Sequence, residues 1–119
     1  MRKKAKNNKA SWYSIKAAAN NQPAEVLLYD EIGFWGVTAA DFIADFNAIN
    51  DSNITLRINS PGGSVFEGMA IYNAIRRHKA TITTQIDGIA ASMASIIALA
   101  GDYIKMSETA YYMIHNPFG

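Results

Sequence analysis

The stretch DGIAASMASIIALAGD, Asp87–Asp102, sets two hydroxyls, Ser92 and Ser95, among alanines where an apolar helix is expected to start. A serine at a helix start has two uses. It can cap the helix by accepting from a free N–H of the first turn, a role worth about 1 kcal/mol. It can also act as a nucleophile, because negative charge developing beside it meets those same N–H groups. In the second use the N–H of Met93 supplies one oxyanion donor and the N–H of Gly63 another. The Gly-x-Ser-x-Gly elbow pattern is not met, since Ala90 and Ala94 stand at its glycine positions. Ser95, one turn on, reads as a hydroxyl on the helix face. Both uses of Ser92 stay open at this stage.

A serine nucleophile needs a base, and the chain has two histidines. His115 closes the apolar run AYYMI and precedes Asn116-Pro117, which puts it at a strand end. His78, between Arg77 and Lys79, reads as a surface residue at a helix end. His115 is therefore the better candidate, with a plain structural role as the alternative. The second turn of interest is NSPGGS, Asn59–Ser64. Its Pro-Gly-Gly makes a rigid corner followed by two residues that let another backbone come close. Neither a phosphate loop nor a dinucleotide fingerprint is present.

These turns need a scaffold, and the periodicities supply one. A strand is expected at 25–32 (EVLLYDEI) and a helix from Thr38, where Thr38-x-x-Asp41 is a variant capping box and Phe42, Phe46 and Ile49 recur at helical spacing. Ile54, Leu56 and Ile58 alternate as a strand. The helix after NSPGGS runs to about Lys79, with Val65, Met69, Tyr72 and Ile75 as its expected apolar face. A strand at 81–87, a helix from about Ser92 to Ala100, and two short strands, YIKMS and AYYMIH, complete the order. Strand and helix alternate, so the expected class is α/β with a largely parallel sheet. In such folds the turns at the C-terminal ends of neighbouring parallel strands open on one edge, where sites form.

Composition narrows the classes further. The chain has 119 residues, half of them hydrophobic, a net charge of +1 and no cysteine. That suits one folded domain and excludes disulfides, thiolate catalysis and cysteine-ligated zinc. Two separated histidines give no metal site, and neither a metal nor any other cofactor is expected. Five of the eleven Lys and Arg crowd into residues 2–9 (Arg2, Lys3, Lys4, Lys6, Lys9). Residues 1–22 read as a flexible basic leader, with a nucleic-acid arm as the alternative, and 23–119 as the folded domain. Bulk charge argues against nucleic acid, and no apolar run reaches the roughly 18 residues of a membrane span.

Three blocks, INSPGGSVFEGMAIYNAI, DGIAASMASIIALAGD and MIHNPFG, resemble the Clp protease proteolytic subunit family, above all its phage and prophage head-maturation (prohead) proteases. The likeness runs from about Glu25 to the last residue, with the blocks in order and at similar spacing. It implies the N-terminal portion of a crotonase-type ββα superhelix and a serine endopeptidase. By it Ser92 is the nucleophile and His115 the general base, Gly63 and Met93 hold the oxyanion, and Ser64 and Val65 lie on a strand-like edge that pairs with an extended peptide. It further implies homo-oligomeric rings, capsid or scaffold proteins as substrates, a separate ATPase unfoldase as a possible partner, and a bacterial cytoplasm or phage procapsid as the compartment. The family's third triad member, an acid, lies well beyond the histidine, and neither Asp87 nor Asp102 matches it. The chain is thus expected to be weakly active or inactive by itself. Two other readings stay open: a crotonase-fold enzyme acting on an acyl-CoA, and a non-catalytic ring or capsid component.

Overall fold

The computed structural model of the chain describes residues 11–33 and 36–114. Among them the order is β1 (Tyr13–Lys16), β2 (Ala24–Tyr29), α1 (Ala39–Asn47), β3 (Asn53–Ser60), α2 (Val65–Arg77), β4 (Thr81–Ala91), α3 (Met93–Ala98), β5 (Tyr103–Met106) and β6 (Tyr111–Met113). α1 starts where the capping box predicts. Thr38 Oγ1 accepts from the Asp41 N–H, and the Asp41 carboxylate accepts from the Thr38 N–H.

β2, β3 and β4 lie side by side and parallel, as strands joined by crossover helices must, and β1 adds antiparallel to β2. β4 has eleven residues, longer than its sequence signal, and holds two more parallel partners on its other edge. β5 pairs with Thr83–Ile86 and β6 with Ile89–Ala91. Between those two stretches the register with β3 shifts: Ile58 faces Ile86, but Ser60 faces Ala90. The Asn59 carboxamide fills the resulting bulge and accepts from the Ile89 N–H at 3.1 Å. This bulge carries β4 onward into the Ser92 turn.

Period-2 alternation sends Val26, Leu28, Ile54, Leu56, Ile58, Ile82 and Ile86 to one face, where they pack with Phe42, Phe46, Ile71, Ile75 and Ile97 of the helices. On the other face Arg57 grips both oxygens of Asp87, at 2.9 and 3.1 Å, and Tyr29 Oη donates to Asp87 at 2.7 Å. The carboxylate holds that tyrosine above its usual pKa.

Four expectations change. Within the stretch 1–22 expected as leader, Trp12–Lys16 belong to the fold, while residues 1–10 lie outside the described residues. Trp12 is fully buried, stacks on Phe42 and donates from Nε1 to the Val37 carbonyl at 2.7 Å. The buried stripe of α2 is Gly68, Ile71, Ala74 and Ile75, about one residue around the helix from the expected face; Val65 and Met69 are exposed. α3 is shorter than expected, six residues in place of nine. His78 is no surface residue: its Nδ1 accepts from the Ala80 N–H, its Nε2 faces the Ile49 carbonyl, and its ring lies edge-on to Phe46. An Nδ1 that accepts leaves Nε2 as the donor, so His78 ties the end of α2 to the end of α1.

Candidate active site

The Pro-Gly-Gly turn after β3 and the Ser92 turn after β4 meet at the C-terminal ends of adjacent parallel strands. Gly62 sits at φ +112, a conformation L side chains rarely adopt. A Cβ there would lie 2.8 Å from Ser92 Cβ, 2.9 Å from the Ala91 carbonyl oxygen and 3.2 Å from the Met93 nitrogen. The bare backbone of Gly62 thus packs directly on the serine turn. Gly63 faces the other way: a Cβ there would meet the Ile32 backbone oxygen at 2.3 Å. That close approach is a short parallel bridge between Ile32 and Gly63, with the Ile32 N–H donating to Gly62 and the Ser64 N–H to Ile32.

Three hydroxyl residues stand at helix starts, and they behave differently. Thr38 and Ser64 accept from the N–H of Asp41 and Glu67, as caps do. Ser92 makes no such bond and holds φ 55, ψ −127. A non-glycine residue in that region costs on the order of 1–3 kcal/mol. The capping reading of Ser92 therefore fails, and with it the roughly 1 kcal/mol a cap would contribute. No described residue receives a hydrogen bond from the Ser92 hydroxyl, which is only partly buried. Strain of this kind at a strand-to-helix turn is what lifts a serine oxygen clear of its own backbone.

Of the expected oxyanion donors, Met93 opens α3, so its N–H lies in the helix's unpaired first turn. With only six residues in α3 the local N–H matters more than any macrodipole. Gly63 follows the residue that touches Ser92. Ser64 and Val65 are not on a strand edge. Ser64 is the N-cap of α2 and Val65 its first residue, because the Ser64 hydroxyl finds the Glu67 N–H and turns the chain into the helix. Ser95 is fully buried, and its hydroxyl donates to the Ser92 carbonyl at 2.5 Å, so it stabilises the turn from inside the helix. His115 lies outside the described residues. β6, which ends at Met113, is tied to the turn, since the Ser92 N–H donates to the Met113 carbonyl at 3.1 Å.

Neither aspartate beside the helix joins the site. Asp87 is engaged by Arg57 and Tyr29 on the open sheet face. Asp102 pairs with Ile82 by two bonds at the opposite end of β4. Among the described residues no group of three or more metal-binding side chains occurs. A cavity of about 320 Å³, lined by Lys16, Asn20, Gln22, Glu25 and Arg57 among others, opens beside β1 and away from both turns.

Two supporting residues escape the reading of motifs. Ser60 is fully buried; its hydroxyl donates to the Asp30 carbonyl at 2.6 Å and accepts from the Gly62 N–H at 3.1 Å. The alternation Ile54-Leu56-Ile58-Ser60 already puts it on the buried face, and a hydroxyl there must be bonded. Glu67 accepts from the Ala39 N–H and so caps α1 from α2. No local pattern announces a cap supplied from 28 residues away.

The Clp protease family profile matches residues 7–119. The ATP-dependent Clp protease proteolytic subunit of Streptococcus mutans is 47% identical over 72 residues, covering 59% of this chain and 37% of that protein. Its counterpart in Streptococcus pyogenes is 44% identical over the same length. In three dimensions the ClpP protease catalytic domain from Plasmodium falciparum superposes with a TM-score of 0.67 at 37% identity, over 78% of this chain and 54% of that one. A ClpP1 variant from Listeria monocytogenes gives 0.62 at 33% identity, over 80% and 57%. The chain is an α/β protein of the Clp catalytic-domain fold. It belongs to the Clp protease family, and it spans little more than half the length of these solved relatives.

Proposed function

We propose that this chain carries the nucleophile half of a serine endopeptidase site. Ser92 Oγ attacks the carbonyl carbon of a peptide bond while His115 takes its proton. The oxygen that becomes negative is held by the N–H groups of Met93 and Gly63. His115 then returns the proton to the leaving amine, and water attacking the acyl-enzyme by the reverse route frees Ser92. Gly62 keeps the Pro-Gly-Gly turn against the nucleophile, and Ser60 braces that turn from beneath. The exposed Val65, Phe66 and Met69 on the first turns of α2 give the substrate side of the turn an apolar character. The observation that carries the reading is the strained, uncapped Ser92 packed against Gly62.

The likeness of the three motif blocks to head-maturation proteases supports capsid and scaffold proteins as substrates and a homo-oligomeric ring as the working form. ATP enters this scheme only through a separate unfoldase. Ser92→Ala tests the chemistry. It is expected to remove hydrolysis of an unstructured protein such as casein while leaving the far-UV circular dichroism unchanged. Equal, measurable turnover by parent and variant would move the nucleophile elsewhere.

A further inference from the structure

Where β4 runs into the serine turn, three hydrogen bonds close a loop between separate pieces of chain. The Ser92 N–H donates to the Met113 carbonyl at 3.1 Å, Tyr112 Oη donates to the Ser95 carbonyl at 2.8 Å, and Ser95 Oγ donates to the Ser92 carbonyl at 2.5 Å. Two of these start from or end on β6, which is three residues long and lies at the end of the sheet's edge. So short a strand has little to hold it by itself. Its outer residues Tyr111 and Met113 are 70% and 49% exposed, whereas Tyr112 turns inward and packs against the core. The side chain of Tyr112 is therefore β6's main attachment besides the backbone ladder. Burial raises its pKa, so it stays a donor through the neutral range.

We propose that Tyr112 is a positioning residue: its bond to Ser95 fixes β6 on the serine turn and thereby holds Ser92 against Gly62 and beside the Met93 N–H. The inference rests on the peptidase reading above. The Ser92 N–H is bonded to Met113 of the same three-residue strand, so whatever movement β6 gains reaches the turn that presents Ser92. A displacement of about 1 Å in a reacting pair can cost two orders of magnitude in rate. The phenol hydroxyl, rather than the ring, is the group that matters in this account. Tyr112→Phe keeps the ring and removes only the anchor.

The test titrates parent and Tyr112→Phe with a fluorophosphonate probe and follows adduct formation at Ser92. The maximal labelling rate is expected to fall about tenfold. The probe concentration at half-saturation and the final labelled fraction should stay as in the parent. Amide hydrogen exchange read in parallel should quicken at Ser92 and Ser95, whose N–H groups are bonded to Met113 and Ser92, while Leu56 and Ile86 in the core keep their protection. An unchanged labelling rate, or unchanged exchange at Ser92, overturns the proposal. So does a lower labelled fraction with lost core protection, which would make Tyr112 a residue of general stability. A parent that leaves Ser92 unlabelled fails differently: it removes the peptidase reading itself, and this inference with it.

Discussion

Ser64 and Ser92 begin two helices on neighbouring turns, and they use the same side chain in opposite ways. Ser64 has ordinary backbone angles, φ −59 and ψ 130, and its hydroxyl accepts from the Glu67 N–H. Ser92 sits at φ 55, ψ −127 and caps nothing. At Ser64 the hydroxyl stabilises the fold. At Ser92 the fold holds a hydroxyl in a position that local energetics disfavour, with Gly62 in front, Ser95 behind and β6 alongside. A residue held against its own preferences by its surroundings points to use rather than to stability. The difference between two serines of identical chemistry thus locates the candidate site more sharply than either motif does alone.

The largest effect should come from pressing on the contact that holds the contrast in place. Gly62→Ala puts a methyl 2.8 Å from Ser92 Cβ and forces alanine to φ +112. Strain and overpacking together are expected to cost about 2–4 kcal/mol in urea unfolding and to stop Ser92 labelling. Wild-type stability with full labelling would mean that the two turns are not in contact.

The two serines themselves give the next, smaller pair. Ser64→Ala should lower stability by about 1 kcal/mol, as the loss of a cap does. Ser92→Gly should not: relief of on the order of 1–3 kcal/mol of strain outweighs about 1 kcal/mol of added freedom in the unfolded chain. A Ser92→Gly protein less stable than its parent in urea would contradict the strained geometry.

The smallest effect is alkaline. Tyr112 beside the Ser92 turn is raised above 10.0 by burial, and Tyr13 at the β1 edge is raised further by burial and its bond to Asp45. A raised folded pKa means the neutral form is favoured by folding. Its contribution is complete below the ordinary tyrosine value near 10 and is lost as pH climbs toward the folded value. Stability should therefore decline above about pH 10, and less steeply in Tyr13→Phe than in the parent. Parallel pH curves for the two proteins would remove Tyr13 as a contributor.

Much of the scaffold is legible in the sequence because its signals are local. Thr38-x-x-Asp41 states where α1 starts, and Ile54-Leu56-Ile58 states both β3 and its buried face. β1 is hidden for the opposite reason. Its four residues sit next to a run of cations, and the groups that hold Trp12, Val37 and Phe42, lie 25 and 30 residues on. The stripe of α2 shifts because its face at Gly68 packs on Met93 of α3, where an added Cβ would lie 2.6 Å from the methionine side chain, and nothing within α2 announces that neighbour. As to the site, the two turns can be picked out by their small residues. That Ser92 is strained rather than capping depends on Gly62 reaching it from another strand, and no window of sequence contains that contact. Glu67 and Tyr112 carry no local signal for the same reason, as both act across chain segments rather than along one.

The most direct measurement is the site of covalent capture. The chain is treated with a fluorophosphonate, digested, and the adduct located by tandem mass spectrometry, with Ser92→Ala treated in parallel. The strained, uncapped hydroxyl predicts a single adduct on Ser92, with Ser64 and Ser95 unmodified and the Ser92→Ala protein unlabelled. An adduct on another serine, or equal labelling of the variant, would contradict Ser92 as the nucleophile.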